Sequence, residues 1–162
     1  MSNMKPRDQA LFNLEAKISR FGWTAYYISG GPGPDWHYTI GLVDRFDHPE
    51  LITLGLDHRS AHAAAHEVVH HLEAGESLTP GRHTKHSLLE IPMALVPVDD
   101  AYWMKPYDYF LGWFDYYRAT DRQLQRQALQ IVWSDDEQRL PWEKDFDSQY
   151  EAIQPLLDQP PV

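Results

Sequence analysis

His66-Glu67-Val68-Val69-His70 is the stretch of this sequence whose residue types and spacing point most directly to chemistry. Two histidines four residues apart on a helix share one face and can share a zinc ion, while the glutamate between them polarises a metal-bound water. His62 extends the ladder by one turn, and Glu90, twenty residues beyond His70, stands where a third ligand could enter. The 162-residue chain has no cysteine, so any metal must be held by His, Asp or Glu.

The helix that carries the ladder argues against such a centre. Ala61, Ala64, Ala65, Val68 and Leu72 make one apolar stripe over residues 60–74, ended by Gly75. On a helical wheel His62, His66 and His70 fall roughly 100° to 180° from that stripe, so they face water unless another element covers them. Glu90 sits beside a strand that starts before Pro92. Across these residues alone the set resembles the ligands of thermolysin-like metallopeptidases, whose third ligand lies on a second helix. The expectation is therefore a solvated histidine face with no cofactor, zinc being the alternative.

The other elements follow from periodicity. Leu11, Leu14, Ile18 and Phe21 recur at helical spacing over residues 7–21, and Gly22 stops that helix. Residues 23–29 and 36–43 read as a hairpin around the Gly30-Gly31-Pro32-Gly33-Pro34-Asp35 connection, which lacks the residues of a phosphate or dinucleotide loop. Residues 51–56 read as a buried strand and 76–87 as a polar loop. Residues 93–98 then form a strand that would run parallel to 51–56 if adjacent to it. Between Tyr102 and Tyr117 nine of sixteen residues are aromatic, all round a helix over 100–118. Such a helix is either sandwiched in the core or offers one face, including Tyr109 and Trp113, to a partner. Residues 130–133 read as a fifth strand that closes the sheet, followed from about 135 by an acidic, proline-punctuated tail wrapping the domain. The fold class is α+β, one domain with a mixed sheet of about five strands and three helices packed on it.

Composition narrows the function classes. Hydrophobic residues make up 43% and aromatics 13% of the chain, enough to bury a core, and the formal net charge is −10. An acidic body repels phosphates and anionic lipid, so nucleic acid and membrane are not expected partners, whereas a basic protein partner is compatible. No apolar run is long enough for a membrane span and the start from Met1 to Gln9 is polar, so a cytoplasmic location is expected.

Several segments resemble an uncharacterised bacterial family, a domain of unknown function. They are Tyr38-Thr39-Ile40-Gly41-Leu42, His48-Pro49-Glu50-Leu51, Gly55-Leu56, Gln130-Ile131-Val132-Trp133 with Asp135, Pro141-Trp142-Glu143 and Gln154-Pro155-Leu156-Leu157. The resemblance implies no catalytic residues. If the strand ends bearing its polar residues converge, Tyr38, Thr39, His48, Glu50 and Asp135 would line one small-ligand pocket with Trp133 and Trp142. Otherwise Pro49 sets a turn capped by His48 and Glu50, and Asp135 closes a hairpin. The leading functional expectation is a small acidic binding or interaction protein, immunity-like or regulatory. The alternative is a small hydrolase-like enzyme using the His48, Glu50 and Asp135 group or the His66, Glu67 and His70 group.

Overall fold

The computed structural model describes residues 4–120 and 125–161, so the first three residues of the polar start lie outside it. The fold is α+β and built on one mixed sheet of six strands, in the order β1-β2-β3-β6-β5-β4. The strands are β1 (Thr24–Ile28), β2 (Trp36–Ile40), β3 (Glu50–Leu54), β4 (His86–Leu88), β5 (Ile91–Pro97) and β6 (Ala128–Trp133). The helices are α1 (Pro6–Phe21), α2 (Leu42–Phe46), α3 (His58–Glu73) and α4 (Leu111–Ala119). Among the described residues no helix is long and apolar enough to cross a membrane.

Strand alternation sorts the side chains between two apolar layers. Tyr38, Ile40, Ile52 and Leu54 pack with Leu14 and Ile18 of α1 and with Trp103, Phe110, Trp113 and Tyr117 on one face. On the other, Leu51, Leu95, Leu129 and Ile131 pack against Ala64, Ala65 and Val68 of α3. The aromatic run is therefore core: Trp113 is only 3% exposed and Phe110 1%. It is not one helix over 100–118, because a 3-10 turn over Asp100–Trp103 is separated from α4 by an irregular stretch containing Pro106. Proline lacks the N–H that a helix interior needs.

Helix limits follow local chemistry. Pro6 occupies the first turn of α1 and Gly22 ends it in the left-handed conformation. Asp57 caps α3 by accepting from the Ser60 amide at 2.7 Å.

Three expectations about the sheet are corrected. β6 is not a closing edge strand; it lies between β3, to which it is parallel, and β5, to which it is antiparallel. The strands at 51–56 and 93–98 are thus not neighbours, which sequence order could not reveal because β6 arrives from much later in the chain. The polar stretch 76–87 also contains a strand, β4, too short to show alternation. It is turned back on β5 through Leu89 and Glu90, both at positive φ (55° and 63°).

Candidate functional site

Glu50 opens β3 with its carboxylate fully buried and surrounded by donors. Oε1 accepts from the Thr39 hydroxyl at 2.8 Å and the Leu42 amide at 3.1 Å. Oε2 accepts from the amides of Gly41 (3.0 Å) and Val43 (3.5 Å) and from the Trp113 indole N–H (3.2 Å). Thr39 in turn accepts from the Leu51 amide at 2.9 Å, tying β2 to β3. Burial pushes the Glu50 carboxyl up to about 7, against the pull of these hydrogen bonds. Gly41 makes the geometry attainable: its φ is +117°, and a Cβ there would lie 2.9 Å from the Gly22 carbonyl oxygen. Tyr38, 2% exposed, accepts from the Gly112 amide at 2.8 Å and fixes the start of α4. His48 donates through Nδ1 to its neighbour's carbonyl, Pro49 O, at 2.7 Å, and burial lowers its pKa despite that bond.

The second half of the expected pocket lies at the opposite end of the sheet. Glu50 is opposite Ala128 at the start of β6, whereas Asp135 follows the end of that strand, roughly 20 Å away at the rise of a β-strand. Asp135 accepts from the amides of Glu137, Arg139 and Asp147 and from the Arg139 guanidinium, organising the chain that follows. Trp133 donates to Leu54 O at 2.8 Å, and Arg82 stacks over Trp142 at 5.0 Å from the ring centroid. Gln154 exchanges hydrogen bonds with both backbone groups of Trp133, and Leu157 donates its amide to Gln130. The pocket thus divides into two structural knots. Strand ends that carry polar residues converge only when the register brings them to one edge of the sheet, and here it does not.

The histidine ladder is also dismantled, though it leaves something behind. Glu67, the residue that would polarise a metal-bound water, accepts from the Leu89 amide at 3.0 Å and braces the β4–β5 turn. His70 and Glu90 are exposed, and no three His, Asp or Glu groups gather to hold a metal ion among the described residues. His62 and His66 instead meet residues that sequence reasoning did not select. The His62 ring stacks on Trp23 (centroids 5.8 Å, interplanar angle 24°), and His66 meets Trp23 edge-on at 5.0 Å. His37, 1% exposed on β2, approaches His62 with Nε2 to Nδ1 at 3.1 Å. His58 stacks on Tyr27 at 4.8 Å and flanks both. The available signal was the alternation in β2, where His37 and Thr39 share the face opposite Tyr38 and Ile40. Burial, then the neighbouring His62, His58 and His66 rings, lowers His37 to about 3; burial likewise lowers His62.

Beside this cluster, at the β1 edge of the sheet, runs a groove of about 450 Å³ between the end of α1 and α3. Lys17, Phe21, Trp23, Thr24, His62, His66 and Glu73 line it. Phe21 is 58% exposed, with the Arg20 guanidinium 5.0 Å from its ring centroid.

Fold and site together define a small α+β domain with one buried carboxylate knot and one open aromatic–imidazole groove. The family described as Domain of unknown function (DUF4262) matches residues 17–147, and the chain belongs to it. The Gln154-Pro155-Leu156-Leu157 segment lies outside the matched residues. No curated protein and no solved structure matches the chain.

Proposed function

We propose that this protein binds a small ligand in the groove between α1 and α3, and that it is not a hydrolase. One observation carries the reading: the groove joins the exposed ring of Phe21 to the Lys17 and His66 side chains and to the remaining nitrogen of His62. Glu50, Asp135 and Glu67, the carboxylates that a hydrolase would need as general base, each accept hydrogen bonds from the backbone that positions a strand or turn. Glu50 and Asp135 are buried, at 0% and 4% exposure, out of reach of a substrate. Phe21 offers aromatic surface to a planar guest, the buried Trp23 backs the groove, and His62 and His66 supply donors or acceptors at its edge.

The test is a screen of planar aromatic fragments by amide and side-chain NMR. Support is a set of fragments that shifts the signals of Trp23, His62 and His66 and loses that effect in Phe21→Ser, a change at an exposed lining residue. Perturbations centred on His48 and Glu50, or ester or peptide hydrolysis abolished by Glu67→Gln, would overturn it.

A further inference from the structure

The ligand class follows from how the deepest histidine of the cluster is held; this step rests on the binding reading above. His37 Nε2 faces His62 Nδ1 at 3.1 Å, so one of those two nitrogens carries the shared hydrogen. The other ring nitrogen of His37, Nδ1, is buried and has no hydrogen-bond partner. If the His37 hydrogen sat on Nδ1, a buried N–H would be left with no acceptor. With the hydrogen on Nε2, every N–H of that ring is used and only a bare lone pair is left. Orphaned buried N–H groups are the rarer and costlier of the two. His37 therefore donates through Nε2, His62 accepts through Nδ1, and the hydrogen of neutral His62 sits on its own Nε2. That nitrogen is a fixed donor on a residue that lines the groove.

The rest of the lining gives the ligand its shape and charge. Phe21, 58% exposed, presents aromatic surface, Trp23, only 7% exposed and stacked on His62, forms part of the wall, and Lys17 supplies a cation. Glu73 also lines the groove, but it follows His62 by eleven residues, about 16 Å further along α3 at the helical rise. The His62 end therefore carries a donor and the far end a carboxylate. We propose that the groove takes a small planar aromatic carboxylate, its ring against Phe21 and its anion accepting from His62 Nε2–H.

Two readouts at pH 7.5 test this: two-bond proton–nitrogen spectra of the imidazoles, and titration with 1-naphthoate and with 1-naphthylmethylammonium. The expected result is the Nε2–H tautomer at His62 and naphthoate binding about tenfold tighter than the ammonium probe. His62→Phe should weaken naphthoate about tenfold and leave the ammonium probe within about twofold, while His62→Gln, which keeps an N–H donor, recovers part of the loss. If His62→Phe does not fold, Lys17→Met carries the test and should weaken naphthoate several-fold. An Nδ1–H tautomer at His62, an equal or tighter ammonium probe, or unchanged naphthoate binding in these variants would overturn the assignment. Tighter ammonium binding at the groove would remove the carboxylate class and leave the binding site standing. Failure of both probes to shift Trp23, His62 and His66 would count against the site as well.

Discussion

Glu50 and His62 both hydrogen-bond to a side chain of β2, Thr39 and His37 respectively, and they are used in opposite ways. Five donors converge on Glu50, and none of its oxygen capacity faces solvent. His62 has one partner on one nitrogen, and its ring lines an open groove. The difference teaches that a polar residue deep in a fold is a poor guide to function when its surroundings already satisfy it. The groups left for a ligand are those whose bonding is incomplete at the surface. The Tyr38-Thr39-Ile40-Gly41-Leu42 and His48-Pro49-Glu50-Leu51 segments, which look most like a site in sequence, form the skeleton. The histidine face, which looks like solvent, adjoins the groove.

The largest effect that would sharpen this contrast is expected from Glu50→Ala. It strands five donors and opens a cavity, and should cost about 4 kcal/mol by chemical denaturation; a cost under about 1 kcal/mol would break the knot's structural role. Gly41→Ala comes next, because it forces a Cβ toward the Gly22 carbonyl at a positive φ, and about 2 kcal/mol is expected from the same measurement.

The two regions should also respond to pH with opposite signs. Folding depresses His37 from its ordinary 6.5 to about 3, so its contribution is complete above pH 6.5 and is lost as pH falls toward 3. Folding raises Glu50 from 4.5 to about 7, so stability is greatest below pH 4.5 on its account and declines as pH rises through 7. Denaturation profiles between pH 3 and 8 should lose the acid limb in His37→Leu and the neutral limb in Glu50→Gln. The smallest effect belongs to His66→Ala, an exposed change expected to stay within about 0.5 kcal/mol.

The sequence made the α+β class, α1, the β1–β2 hairpin and the buried stripe of α3 legible, because each rests on local periodicity. Ala61, Ala64, Ala65 and Val68 are indeed fully buried. What was not legible depends on long-range placement. The insertion of β6 between β3 and β5 is one case, and the separation of Glu50 from Asp135 follows from it. β4 escaped because His86 and Ser87 give three residues no apolar rhythm. At the site, His62 and His66 stood out by spacing, but the residues that define their role, Trp23 and His37, come from β1 and β2 neighbours that a helix pattern cannot indicate. The Trp113 indole reaching Glu50 across sixty-three positions is legible only from the folded chain.

The most direct measurement of the central claim is the thermal melt of Glu50→Gln and His62→Phe beside the unaltered protein, each with and without saturating 1-naphthoate. Glu50→Gln should melt about 4 to 8 °C lower, because the amide opposes donors that the carboxylate accepted, and should still be raised by the ligand. His62→Phe strands the buried His37 Nε2–H and should melt about 2 to 6 °C lower, yet, unlike Glu50→Gln, it should lose most of the ligand-induced rise. The reverse pattern, a ligand response lost with Glu50 and kept without His62, would contradict the assignment of skeleton and site.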